Sequence, residues 1–394
     1  MNKEHRTILI QAILFVTTFF TTTQAGSEWV YGHILLINGA NGWPAFNPDY
    51  GWNDFFDGLN FSVPFLLILT VHEFGHYFMA KFHKVRATLP FYIPVPPGLL
   101  LSIGTLGAVI RIKDRVRSNL QHFDIGLAGP LAGFIVALVI VVYGFATLPP
   151  AEHIFTIHPE YEKYGLNYAD SVYTEKYTAA VMKQYNLKSK PVDLQIGSNL
   201  LFAAIGAVVP DQSRVPNMHE MMHFPILLAG FIALFFTAMN LLPIGQLDGG
   251  HVTHGLFGAK GHKMIATVFF LLLLFYSGLG LVSPLDGADS LMWSVPLMIG
   301  FYFFSFGALQ ISMQDRIMYA LLLFAVQFLL AWAMPEVKGY SGWLLFGFII
   351  SRFVGIQHPP SEIEEPLDSK RVILGWITLL IFVLCFSPAP LIIE

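Results

Sequence analysis

Residues 70–82 read TVHEFGHYFMAKF, and they close an apolar run that extends over residues 61–81. About 20 largely apolar residues are what a helix needs to cross a bilayer. In a helix, His72 and His76 stand at i and i+4, so both imidazoles leave the same face one turn apart. That spacing can hold one metal ion, with Glu73 beside it as a general base. Each ionisable group deep in a span costs about 2.5–3.5 kcal/mol on insertion scales. Three such groups in one turn of helix need something to offset that cost, and a bound cation does so. The segment therefore carries two readings at once, a membrane helix and a metal site.

The composition agrees with the first reading. Of 394 residues, 55% are hydrophobic and only 12% are charged. Soluble domains run near 25% charged, roughly, so this chain cannot cover the surface of a soluble globule. Lys and Arg total 22 against 26 Asp and Glu, a net charge of −4 with no long basic run, which excludes a nucleic-acid partner. Cys385 is the single cysteine, so no intramolecular disulfide, zinc ribbon or redox pair can form. The fold class is an all-α polytopic integral membrane protein.

Outward from the histidine helix, further apolar segments occupy residues 7–25, 123–148, 224–243, 264–285, 291–312, 316–334 and 371–388. A shorter one at 341–356 contains Arg352, which brings the expected count to eight or nine spans. Residues 195–209 are too short to span straight and read as a re-entrant or interfacial piece. Lys3 and Arg6 precede the first span, which puts the N-terminus in the cytoplasm by the positive-inside rule. Loop 26–60 carries Glu28, Asp49, Asp54 and Asp57 without a Lys or Arg and lies outside. Loop 82–122, with Lys84, Arg86, Arg111, Lys113, Arg115 and Arg117, lies inside. The first segment can also be read as a signal peptide with a weak cleavage site at Thr23-Gln24-Ala25. A bacterial plasma membrane is the expected location, with the metal site toward the cytoplasmic side.

Two histidines leave a catalytic zinc one protein ligand short, and a carboxylate commonly supplies the third. Residues 240–251 read NLLPIGQLDGGH. Pro243 and Gly245 end a helix near the cytoplasmic side, and Asp248 follows with Gly249 and Gly250 permitting close backbone approach. Topology puts Asp248 on the side of His72 and His76; Asp-Gly is also an ordinary turn pair. His251 and His254 are rival ligands that also fit a cytoplasmic helix start.

A second match to the metal-helix pattern, His219-Glu220-Met221-Met222-His223, precedes the 224–243 segment. It follows the polar stretch PDQSRVPNMH and reads as a solvated helix start at the outer interface, or as an accessory metal or pH-sensing site. It sits at the far end of that segment from Asp248, so the two cannot share a metal.

HEFGH in a span and NLLPIGQLDGG on a later one together resemble the site-2 protease family of intramembrane zinc metalloproteases, over roughly residues 60–257. The stretches GTLGAVIRIK (104–113) and DIGLAGPLAGF (124–134) are similar to the cyanobacterial and plastid-type branch, which lacks an inserted PDZ domain. The resemblance implies one Zn2+ per chain on His72, His76 and Asp248, Glu73 activating a water, and Asn240 contacting the substrate or the reaction oxyanion. It also implies membrane-anchored protein substrates. It divides the chain into residues 1–59, a first helix and extracytoplasmic loop; 60–257, a catalytic membrane core; and 258–394, C-terminal helices without an assigned role.

A helical substrate hides its peptide bonds and must unwind before cleavage. Residues 103–112, IGTLGAVIRI, are glycine-punctuated and β-branched. They read as a small β-hairpin or loop dipping toward the membrane, to which an unwound substrate adds as a strand. In the 123–148 segment Gly126, Gly129 and Gly133 make a small-residue face suited to packing against the histidine helix. Two other functions compete. The clustered histidines His72/His76, His219/His223 and His251/His254 suggest a membrane di-iron desaturase or hydroxylase, which needs about eight histidines on one face. Intramembrane His and Asp also suit a metal or proton transporter, although paired repeats are absent from the sequence.

Overall fold

The computed structural model describes residues 3–38, 43–96, 102–190 and 193–393. The chain opens with α1 (Lys3–Tyr31), a short ladder of β1 (Leu36–Asn38) with β2 (Pro44–Phe46), and α2 (Trp52–Phe82). A hairpin of β3 (Phe91–Pro94) and β4 (Thr105–Val109) leads to α3 (Asn119–Ala146). Short helices α4 (Ile154–Ile157), α5 (Ala169–Val172) and α6 (Glu175–Gln184) follow, then β5 (Leu194–Ile196), α7 (Leu200–Ala207) and α8 (Pro225–Asn240). The remainder is α9 (Asp248–Gly278), α10 (Ala288–Ser305), α11 (Met313–Ala333), α12 (Gly342–Ile349), α13 (Ser369–Cys385) and β6 (Leu391–Ile393), which pairs with β5.

Among the described residues, six helices are long and apolar enough to cross a membrane: α1, α2, α3, α9, α10 and α11. The eight or nine expected from sequence include segments that fold shorter. The 224–243 segment is cut to the 16 residues of α8, because Pro225 can only open a helix and Pro243 stops one. The 341–356 segment is the eight-residue α12 plus a π-helical turn, Ile350–Val354, ended by Gly355 at φ 79°. The 371–388 segment becomes the 17-residue α13. Residues 195–209 form the end of β5 and α7. Large apolar side chains such as Ile135, Val139, Trp293, Leu297, Leu322 and Leu329 remain exposed on the outer faces, as a lipid-facing surface requires.

Small residues let the helices around the metal motif approach closely. Thr18, Thr22, Thr23 and Ser27 form a buried face of α1 against α2, and Thr22 Oγ1 meets Ser62 Oγ at 2.7 Å. A Cβ on Gly58 would lie 2.0 Å from Thr23 O, so only glycine fits that crossing. α2 packs in turn against α3 and α8, and α3 against α9.

The β3–β4 hairpin is antiparallel, with Phe91 opposite Val109, Tyr92 opposite Ala108 and Pro94 opposite Thr105, and a bulge between Tyr92 and Pro94. Its first strand comes from the proline-rich stretch before residues 103–112, not from within them. Gly107 adopts φ 104° in β4, and its N–H is accepted by Thr105 Oγ1 at 3.0 Å. Thr21 Oγ1 donates to Gly104 O at 2.6 Å, fastening the hairpin to α1.

Candidate metal centre

α2 carries His72, Glu73 and His76 as a buried set in its C-terminal half. Of the expected glycine face of α3, Gly129 and Gly133 lie against them, whereas Gly126 lies against His251 of α9, where its Cβ would come within 2.7 Å of the His251 Cβ. A Cβ on Gly129 would lie 2.1 Å from His76 Nε2, and one on Gly133 3.0 Å from His72 Cβ. Gly75 returns the approach, since its Cβ would lie 2.6 Å from Ala128 O. The histidine rings are therefore confined between two backbones.

Asp248 reaches the same point through a tight turn. Gly245 takes φ 57° and donates its N–H to Ile356 O at 2.8 Å, reversing the chain after α8. α9 then starts against that turn: Cβ atoms on Gly249 and Gly250 would lie 1.9 Å from Leu241 O and 2.2 Å from Gly245 O. Asp248 is the first residue of α9.

The three donor atoms form a near-equilateral triangle. His72 Nε2 and His76 Nε2 are 3.1 Å apart, and Asp248 Oδ2 lies 3.6 Å from the first and 3.3 Å from the second. Ligands at about 2.0–2.1 Å around a tetrahedral zinc stand about 3.3 Å apart. His76 Nδ1 lies 2.7 Å from Ile125 O, which can only accept, so that nitrogen carries the proton and Nε2 offers its lone pair to the centre. The donor set fits zinc by geometry and by type, two imidazoles and a carboxylate. Glu73 Oε1 is 4.0 Å from His72 Nε2, beside the triangle rather than in it.

A cavity of about 300 Å³ opens on this triangle. It is lined by Glu73, Asn240, Gln246 and Asp248 together with Ala108 and Val109 of β4. A second cavity of about 180 Å³ continues along β4 past Glu73 and Asn240. Asn240, at the end of α8, has its Nδ2 3.3 Å from His72 Nε2. Among the described residues β4 pairs only with β3, and Ala108 and Val109 of β4 line both cavities.

His251 lines the larger cavity but turns its Nδ1 to His358 Nε2 at 2.7 Å and stacks on His122. His254 bonds Glu364 at 3.0 Å. His122, His358 and Glu364 were missed by sequence reading because they lie on α3 and on the 355–368 segment, far from α9 in the chain.

The second pattern match needs correction. Residues 219–223 are not a solvated helix start: they are a turn and a 3-10 turn, and Glu220 is buried. His219 and His223 diverge, because without α-helical winding residues four apart share no face. His219 Nδ1 bonds Asp193 at 2.8 Å, whereas His223 joins His158 and Glu220.

The profile of Peptidase family M50 matches residues 60–304. The chain is 30% identical over 240 residues to "Probable zinc metalloprotease EGY1, chloroplastic" of Oryza sativa subsp. japonica, covering 59% of this chain and 33% of that one. The Arabidopsis thaliana protein of the same description is 29% identical over 234 residues, 59% of this chain and 34% of its own. "Probable zinc metalloprotease EGY2, chloroplastic" of Arabidopsis thaliana is 26% identical over 204 residues, 52% and 30% of the two chains. The chain thus spans about a third of the length of these curated relatives. No solved structure gives a significant match. A buried His-Glu-x-x-His helix, a carboxylate delivered to it by a glycine-rich turn and a profile match over more than half of the sequence lead to one conclusion: the chain belongs to Peptidase family M50, the site-2 proteases.

Proposed function

We propose that this protein is an intramembrane zinc metalloendopeptidase that hydrolyses peptide bonds of membrane-anchored proteins. The observation that carries the reading is the triangle of His72 Nε2, His76 Nε2 and Asp248 Oδ2, closed to zinc-ligand spacing inside apolar helices. Bound there, zinc supplies Lewis acidity and lowers the pKa of water toward about 7.

The chain's own residues do the rest. Glu73 takes the proton of the attacking water and returns it to the leaving amine nitrogen, which its position beside the triangle permits. Asn240 donates its side-chain N–H to the carbonyl oxygen as charge develops there. The edge of β4 away from β3, a strand whose residues line both cavities, holds an unwound substrate segment as an added strand. An apolar cavity of about 670 Å³, lined by Ile103, Leu106, Phe235, Trp343 and others, continues from that edge and suits the apolar flank of such a segment.

In this reading residues 60–257 form the catalytic core, residues 1–59 buttress it through α1, and residues 258–394 enclose its far side. α8, α12 and α13 lie in the bilayer beside the six longer helices, which brings the membrane segments to nine, the upper figure expected from sequence, and the β3–β4 hairpin is re-entrant. The basic 82–122 loop supports a cytoplasm-facing site in a bacterial plasma membrane; the relatives named above are chloroplastic. A di-iron oxygenase is disfavoured, since the histidines fall into separate groups, with His223 and Asn240 at opposite ends of α8, about 24 Å apart.

The test is metal per chain together with cleavage of a single-span substrate in proteoliposomes. Asp248→Ala loses one equivalent of zinc and all cleavage. Glu73→Gln keeps its zinc and loses cleavage by about 10²-fold or more. Cleavage that survives both substitutions would overturn the assignment.

A further inference from the structure

Away from the catalytic centre, the loop after α3 and the entry to α8 build a second donor set. His158 Nε2 and His223 Nε2 are 3.3 Å apart, and Glu220 Oε2 lies 3.5 Å from each. These edges match the catalytic triangle and the roughly 3.3 Å expected of tetrahedral zinc ligands. They are too long for good hydrogen bonds, which close to about 2.7–3.2 Å. Glu220 is only 2% exposed, and its Oε2 has no hydrogen-bond partner. An unpaired buried carboxylate oxygen is costly, so this one calls for a cation.

The surrounding groups orient the donors. His223 Nδ1 lies 2.7 Å from Val30 O, a pure acceptor, so its proton is there and the Nε2 lone pair faces the centre. This repeats the His76–Ile125 arrangement of the catalytic site. His158 Nδ1 faces Glu160 Oε1 at 3.4 Å, and its ring stacks on Tyr161 with centroids 4.6 Å apart. Glu220 Oε1 is occupied by the hydroxyl of Tyr173, which leaves Oε2 to point at the two imidazoles. The His223 Nε2 lone pair and the Glu220 carboxylate oxygen converge on one point with His158 Nε2, where a positive charge, a proton on His158 or a bound cation, offsets their repulsion.

We infer that His158, Glu220 and His223 form a second, structural site for a zinc-class divalent cation, outside the catalytic centre. Two imidazoles and one carboxylate select a transition-series ion over calcium or magnesium. The ion cross-links the loop after α3, the 3-10 turn before α8 and, through His223 and Val30, the end of α1. It thereby fixes the N-terminal end of α8, the helix whose other end carries Asn240. The inference does not depend on the peptidase reading.

The experiment uses the full chain in detergent, stripped with chelator, reloaded with Zn2+ alone and freed of excess ion. Wild type is expected to hold about two zinc per chain, and Glu220→Gln and Asp248→Asn about one each. In the Asp248→Asn background added zinc raises the unfolding temperature, and adding Glu220→Gln abolishes that rise. If Glu220→Gln does not fold, the more exposed His158→Gln carries the same expectation. One zinc in both wild type and Glu220→Gln would reduce the cluster to an ion pair and overturn the inference. Two zinc retained in Glu220→Gln would overturn it as well. Loss of zinc from Asp248→Asn alone tests the catalytic site, so the two assignments fail separately.

Discussion

Replacing Gly129 by alanine adds one methyl group where α3 presses on the histidine helix. That Cβ would lie 2.1 Å from His76 Nε2 and 2.4 Å from the ring atoms Cδ2 and Cε1. Ordinary contact begins near 3.4 Å, so the ring must retreat by 3.4 − 2.1 = 1.3 Å. It has little room to do so, because Ile125 O holds Nδ1 and the Gly75–Ala128 contact holds the helix backbones together. Metal–ligand distances tolerate only about 0.2 Å. A displacement of this size therefore costs the metal, and with it at least about 100-fold in turnover. The fold itself survives, since overpacking costs about 1–3 kcal/mol against a typical total of about 5–15. The assay is zinc per chain on a sample whose unfolding temperature is measured in parallel, with Gly300→Ala as the control, since a Cβ there meets nothing within 4 Å. Gly129→Ala protein that keeps the catalytic zinc would refute the confinement argument.

Asn240→Ala should lower kcat by about 10²–10³-fold with zinc content unchanged, the loss expected for one oxyanion donor; an unaltered kcat removes Asn240 from the chemistry. Gly107→Pro cannot adopt φ 104° and deletes the N–H bonded to Thr105, so cleavage should fail while zinc stays bound. Unchanged turnover in that variant rejects strand addition at β4. Arg371→Met removes two hydrogen bonds to the buried Asp124, at 2.8 and 2.7 Å, which tie α13 to α3. His83 still holds Asp124 at 2.8 Å, so the loss should be about 1 kcal/mol, seen as a lower unfolding temperature with zinc content unchanged; no shift would mean that the bridge is solvated.

The histidine helix and the Asp248 turn were legible because their information is local. Four residues on a helix fix which side chains share a face, and Pro243, Gly245, Gly249 and Gly250 permit only a reversal that brings a helix start against the turn. Gly129 and Gly133 of the α3 face were legible for the same reason, whereas Gly126 meets His251 of α9. The second metal-helix pattern misled because its letters say nothing about winding. Pro225 delays α8, residues 219–223 form a turn, and His219 and His223 separate.

Span lengths were overestimated where prolines and a positive-φ glycine cut apolar runs short. The strand partner of β4 was not legible, because pairing of Phe91–Pro94 with Thr105–Val109 is decided by hydrogen bonds and by anchoring to α1. Nor was the meeting of His158 with Glu220 and His223, which are joined across more than 60 residues by packing of the outer loop.

The sequence by itself determined that this is a polytopic membrane protein with a two-histidine, one-glutamate helix, because apolar length and helical periodicity are properties of contiguous residues. Only the tertiary structure decided how closely Asp248 approaches the two imidazoles, which strand pairs with β4 and which distant histidine joins Glu220. Those are contacts between elements, set by how closely small residues let backbones approach.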